Sequence, residues 1–300
     1  MIDPNRDPAR PPLTALVTGA NTGIGRLVAL RLAAAGWRLL LAGRSAQRTR
    51  ATLLDIARLP GAPPAQFLEL DLGDLASVAG CAAAALAAAP RLDLLVANAG
   101  VAGARGLSAS GFELAFGVNH VGHFALCLAL WPALAAVPGA RLVVVASRAH
   151  RHLARWTLDD VRRPTASWTG IPEYARSKLA NILFAAEFAR RARPHGVLAY
   201  SLHPGVLDTE IWRRMPGWMR ALNRLRLRPA EDGATTTLHC ALRAAPDESG
   251  LYFADSRVEE PTATARDPVL ASDLWTRSLA WTGVADIPPP LSAGSAARSP

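Results

Sequence analysis

Between residue 13 and about residue 254, short apolar runs alternate with longer segments of helical period, and this alternation admits few architectures. The runs are LTALVTG, WRLLLAG, AQFLELD, LDLLVANAG, ARLVVVAS, VLAYSLHPG and GLYFADS. Several are apolar on both faces, as strands are when helices cover both sides of a parallel sheet. Strands alternating with helices in this way assemble into a doubly wound sheet. The expected fold is therefore α/β: a single doubly wound domain, with a mostly parallel seven-stranded sheet and helices on both faces. No internal repeat and no Pro/Gly-rich linker divides it. We place this domain at residues 13–287, with a disordered leader at 1–12 (MIDPNRDPARPP) and a disordered tail at 288–300 (PPPLSAGSAARSP).

The first run leads into TGANTGIG, residues 18–25, which sets Gly19, Gly23 and Gly25 at a strand-to-helix turn. Glycines there let the backbone turn tightly and approach a pyrophosphate, while the helix N-terminus supplies amide donors and positive potential. Three residues separate the first two glycines, a variant of the Rossmann dinucleotide pattern. In that fold an acid about 20 residues on holds the adenosine ribose of NAD. Here Arg44 stands at the end of the second run instead, suited to a 2′-phosphate and with no carboxylate to repel it. The pattern favours NADP(H) over NAD(H). Asp71, ending the third run and followed by Leu72, stands where an adenine amino group could be bonded.

All but one of the 33 basic residues are arginine; the exception is Lys178, in YARSKLANILF. It lies four residues after Tyr174, one of three tyrosines, so a helix places both side chains on one face. A guanidinium is a planar, permanent charge, whereas an ammonium is a point charge that also exchanges a proton. Position 178 thus calls for an ammonium beside a phenol.

The ordered set TGANTGIG, NAG (Asn98, Ala99, Gly100), Asn119, Ser147, Tyr174-x-x-x-Lys178 and HPG (His203, Pro204, Gly205) resembles the short-chain dehydrogenase/reductases. The likeness runs from residue 13 to about 280. YARSKLANILF, SLHPG and the long gap from Ser147 to Tyr174 resemble the retinol-dehydrogenase-like and WW-domain-oxidoreductase-like branch. The resemblance implies a Rossmann-type oxidoreductase in which Tyr174 is the general acid/base. Lys178 would lower its pKa and hold the nicotinamide ribose, Ser147 would bond the substrate oxygen, and Asn119 would hold a water leading to solvent. It implies a cofactor set of Gly19, Asn21, Thr22, Gly23, Ile24, Gly25, Arg44, Asp71, Leu72, Asn98, Ala99, Gly100, Tyr174, Lys178, Pro204, Gly205 and Thr209. Ala146, where relatives often carry a second serine, and Asp208-Thr209 depart from the pattern, and the second leaves a helix cap as the alternative role of Thr209.

His120 and His123, and His150 and His152, invite a metal reading, but no cysteine or acid joins them at ligand spacing. We assign no metal; His150 and His152 follow the catalytic strand and could line the substrate side. The net charge of +9 is scattered, which suits small anions or general solubility better than nucleic acid, and no RNA- or DNA-binding motif appears, so no nucleic-acid partner is expected. Cys81, Cys127 and Cys240 form no disulfide framework, which fits a reducing cytoplasm. No run reaches the roughly 20 apolar residues of a membrane span. Residues 206–230 fall where relatives place a substrate lid, and IWRRMPGWMRALNRLRLR within them is amphipathic enough for peripheral membrane contact. The expected partner is a hydrophobic alcohol or carbonyl, and a homo-oligomer is compatible. The alternative is a catalytically idle NADPH-binding sensor, against which the complete Asn-Ser-Tyr-Lys set counts.

Overall fold

The computed structural model describes residues 11–153, 156–205 and 230–289. All seven expected strands form: β1 Thr14–Thr18, β2 Arg38–Gly43, β3 Gln66–Glu69, β4 Leu94–Ala97, β5 Arg141–Val145, β6 Leu198–His203 and β7 Tyr252–Ala254. They pair in parallel, and β8, Arg257–Val258, adds an antiparallel edge. The sheet order is β3-β2-β1-β4-β5-β6-β7-β8, so the winding reverses between β1 and β4. In open α/β sheets ligands bind beyond the carboxyl ends of the strands at such a reversal.

The strand residues alternate between two cores, which is why several runs are apolar on both faces. Leu16, Leu40, Leu95 and Leu142 face one side, packed with Phe124, Phe184 and Trp275. Val17, Leu41, Val96 and Val143 face the other, packed with Val28, Leu32 and Tyr200.

Among the described residues the helices that frame these cores are α1 Gly23–Ala34, α2 Ala46–Ala57, α3 Leu75–Ala88, the short α4 Leu114–Phe116, α5 Gly122–Ala129, α6 Trp131–Ala135, α7 Ile171–Ala192, α8 Ala230–Leu242 and α9 Pro268–Thr282. Helices α4 and α5 are joined by a π-helical turn, Gly117–Val121. The turn has a steric context: a Cβ on Gly122 would lie 2.1 Å from the Leu72 carbonyl oxygen, so only glycine lets α5 approach the loop between β3 and α3 this closely. None of the described helices is long and apolar enough to cross a membrane. The expected lid at 206–230 and the amphipathic stretch 211–228 fall almost wholly outside the described residues.

Candidate active site

The glycine turn has the form a pyrophosphate requires. Gly19 and Gly23 adopt φ of +68° and +55°. A Cβ on Gly25 would lie 2.5 Å from both Asn98 Nδ2 and the Gly19 carbonyl oxygen, so no larger residue fits. Helix α1 begins directly after this turn; Thr22 at its N-cap makes no side-chain cap bond, and its first turn holds no acid. Its free amides and positive end suit an anion, so the residues present fit a dinucleotide. Asn21, Thr22 and Ile24 sit on this turn at the surface or half-buried.

Asn98 and Ala99 serve a structural end at the same place. Thr18 Oγ1 accepts from both their backbone amides at 2.9 Å, and Asn98 Nδ2 donates to the Thr18 carbonyl at 2.9 Å. A Cβ on Gly100 would lie 3.0 Å from Asn119 Oδ1 and 3.6 Å from Lys178 Nζ, so both groups face this glycine. Arg44 is exposed, and Ser45 after it caps α2, whose first turn carries no acid. Asp71 Oδ1 accepts from the Gly73 amide at 2.9 Å, so one of its oxygens is committed to its own loop. Leu72 is buried against α5. Pro204 and Gly205 follow β6 half-buried, and Thr209 lies outside the described residues.

Ser147, Tyr174 and Lys178 converge. Ser147 caps the 3-10 turn Arg148–His152, its Oγ accepting from Ala149 N at 3.2 Å. Its side chain also hydrogen-bonds the Tyr174 hydroxyl. Tyr174 and Lys178 lie one turn apart on α7, as their spacing requires, with Nζ 5.7 Å from the phenol ring centroid. Lys178 is 2 % exposed and donates to the Val145 carbonyl at 2.8 Å. Burial lowers its pKa to about 7. Tyr174 departs from expectation: burial pushes it up to about 12, and only the Ser147 bond pulls the other way. In the protein alone the loss of water around the phenol decides the direction, and burial draws the ammonium toward neutrality as well.

Asn119 sits on the π-helical turn and is fully buried. Its Nδ2 donates to Val101 O at 3.0 Å and Ser177 Oγ at 2.9 Å, and its Oδ1 accepts from Val101 N at 2.8 Å. Ser177 Oγ in turn donates to the Tyr174 carbonyl at 2.7 Å. This cross-link between the loop after β4 and α7 was not foreseen, although Ser177 stands inside the Tyr-x-x-x-Lys motif.

The histidines take separate partners. His120 Nε2 bonds Ser278 Oγ at 3.0 Å and His123 Nε2 bonds Thr18 Oγ1 at 3.0 Å. His150 is buried beneath Ser147, its Nδ1 bonding the Ser147 carbonyl at 2.7 Å, while His152 is exposed. His203 Nδ1 accepts from Arg148 N at 3.3 Å. Arg148 makes a forked pair with Glu259, 3.2 and 2.5 Å, so the turn after Ser147 is clamped to the β7–β8 hairpin.

A family model for short chain dehydrogenase matches residues 13–158. The chain is 44% identical over 280 residues to human dehydrogenase/reductase SDR family member 13, covering 90% of this chain and 73% of that protein. It is 38% identical over 264 residues to human retinol dehydrogenase 11, covering 87% and 82%. Mouse polyprenol dehydrogenase is 39% identical over 291 residues, covering 92% and 85%. Among solved structures, a short chain dehydrogenase from Salmonella enterica serovar Typhi superposes with a TM-score of 0.66 at 25% identity, covering 82% of this chain and 96% of that one. The chain belongs to the short-chain dehydrogenase/reductase family, in its retinol-dehydrogenase-like branch, a family of oxidoreductases that act on small alcohols and carbonyls with a nicotinamide cofactor.

Proposed function

We propose that this protein is an NADP(H)-dependent oxidoreductase that moves a hydride between the nicotinamide and a hydrophobic alcohol or carbonyl, with Tyr174 as general acid in reduction and base in oxidation. The observation that carries this reading is the convergence of Ser147, Tyr174 and a buried Lys178 beside the reversal of the sheet. Hydride transfer is the chemistry a bound nicotinamide supplies; the chain's own residues manage the oxygen and the proton.

Ser147 bonds the substrate oxygen and holds it against the Tyr174 hydroxyl, which gives up or takes the proton. A phenol held near 12 keeps its proton at neutral pH and is therefore loaded for reduction. Lys178 provides two further N–H donors beyond its Val145 bond, suited to ribose hydroxyls. Asn119 Oδ1 keeps one lone pair on the side of Gly100 that Lys178 Nζ also faces, so a water there would join the two. Gly19, Asn21, Thr22, Gly23, Ile24 and Gly25 cradle the pyrophosphate, Asp71 and Leu72 meet the adenine, and Asn98, Ala99, Gly100, Pro204, Gly205 and Thr209 flank the nicotinamide half.

Preference for NADP(H) rests on Arg44, exposed at the end of β2 with no acid from Gly43 to Arg50. A hydrophobic substrate is favoured by the relatives named for retinol and polyprenol, both long apolar alcohols, and by the apolar positions of the lid sequence. The buried free thiols of Cys81, Cys127 and Cys240 fit a reducing cytoplasm.

Tyr174→Phe tests the assignment. It removes only the proton-transferring hydroxyl, so turnover of an aldehyde with NADPH should fall about 10²- to 10⁴-fold while NADPH affinity holds. Near-normal kcat in this variant would overturn it.

A further inference from the structure

His123 is the one buried histidine whose two nitrogens both reach groups that build the site. Nε2 lies 3.0 Å from Thr18 Oγ1 and Nδ1 lies 3.0 Å from the Asn119 carbonyl oxygen, all fully or almost fully buried. The proton positions follow from counting. Thr18 Oγ1 accepts two amide protons, from Asn98 N and Ala99 N, which fill its lone pairs. Its own proton must then go outward, to Val96 O at 3.4 Å or to His123 Nε2 at 3.0 Å. The shorter contact makes Nε2 the acceptor. The imidazole proton is left on Nδ1, pointed at the Asn119 carbonyl.

We propose that His123 is a positioning residue: protonated at Nδ1 and bare at Nε2, it ties the cofactor-holding ends of β1 and β4 to the Asn119 turn. The path runs from Asn98 and Ala99 through Thr18 and His123 to Asn119, and onward through Ser177 to the Tyr174 backbone. It spans 105 residues at the Thr18 contact and joins the dinucleotide turn to the helix carrying the phenol and ammonium. A protonated ring would have two donors, one facing a hydroxyl with no free lone pair, and would repel Lys178, whose charge already acts on it. The neutral form is the only one the surroundings accept. This inference rests on the function proposed above for its catalytic consequence, though not for its bonding.

Two measurements test it. In protein with nitrogen-15 histidine, the resonance that disappears in His123→Phe should show Nδ1 protonated and Nε2 bare, without averaging. A protonated Nε2, or exchange between tautomers, would overturn the proposal on the unaltered protein, whether or not any variant folds. In a cycle of His123→Phe, Thr18→Val and the double variant, His123→Phe should weaken NADPH binding about three- to tenfold, the scale of one buried hydrogen bond, and Thr18→Val by more, because it also takes the acceptor from the Asn98 and Ala99 amides. The double variant should be little worse than the weaker single. Additive losses, or unchanged NADPH affinity in His123→Phe, would overturn it. His123→Gln, which can still accept from Thr18, should recover part of the affinity; no recovery counts against the Thr18 contact. For a carbonyl substrate, kcat should fall in His123→Phe with KM little changed. Tyr174→Phe is run alongside: retained turnover there would sink the proposed function, while the tautomer and the NADPH affinities would still judge His123.

Discussion

Replacing the only lysine with methionine should make the cofactor-free protein more stable and inactive at once. An unfolded chain holds a lysine at its ordinary 10.5, whereas the folded chain holds Lys178 at about 7 because burial penalises the charge. Between those values the unfolded chain binds more protons, so stability rises with pH from about 7 to about 10.5, and below 7 the penalty is fully developed. Each pKa unit corresponds to about 1.4 kcal/mol, so the whole gap caps the penalty at about 5 kcal/mol. The bond to the Val145 carbonyl returns about 1 kcal/mol of this, and structural relaxation more.

Methionine matches the lysine stem, fills the same space and carries no charge. The Val145 carbonyl is not orphaned, because Asn181 Nδ2 also donates to it at 3.2 Å. Lys178→Met should therefore gain about 2–4 kcal/mol at pH 6, and the gain should shrink to below about 1 kcal/mol by pH 10, where the folded amine is neutral and the unfolded one is close to its ordinary 10.5. Urea unfolding of both proteins without cofactor, followed by circular dichroism at pH 6, 8 and 10, measures this. A variant no more stable than wild type at pH 6, or a gap that does not narrow with pH, would refute the reasoning.

Arg44→Asp should cost about 1.5–3 kcal/mol of NADPH affinity, roughly ten- to a hundredfold, and shift preference to NADH; equal affinity of the unaltered protein for both cofactors would count decisively against the role of Arg44. Gly122→Ala should destabilise by about 1–3 kcal/mol, because its Cβ would press on the Leu72 carbonyl and α5 must retreat; an unchanged melting temperature would contradict that packing. Along a homologous aldehyde series, kcat/KM should climb as each buried methylene adds about 0.8 kcal/mol, until the pocket is full. A flat or falling trend would show the apolar-substrate reading to be wrong.

The strands were legible because their signal is local: a short run apolar on both faces needs cover on both sides, and all seven apolar-rich runs became strands of the sheet. β8 left no such trace. Arg257 and Val258 are both exposed, and their pairing depends on Asp255 and Ser256 adopting φ of +50° and +60°, where no glycine announces a turn. The π-helical turn at Asn119 was equally hidden. Its sequence has ordinary helical character, and its surroundings depend on contacts with distant residues: Gly122 against Leu72, and Gly117, whose Cβ would meet Ser108 Oγ at 2.7 Å.

The site divides along the same line. Tyr174 and Lys178 meet because four residues make about one helical turn, so their pairing could be inferred from spacing. His123 stands four residues after Asn119, and that spacing did bring its ring to the Asn119 carbonyl, yet the partner that decides its tautomer is Thr18, on another strand. Electrostatics was the least legible property, because it is set by the water that folding removes. A phenol beside an ammonium suggests a lowered pKa; enclosed by Ala102 and Ala115, the same phenol rises to about 12 and the ammonium falls to about 7. Burial pushes both groups toward neutrality, and so holds the proton on the tyrosine oxygen, where reduction of a carbonyl would draw on it. Oxidation needs that proton removed first, and so requires positive charge beside the phenol that the protein alone supplies only in part.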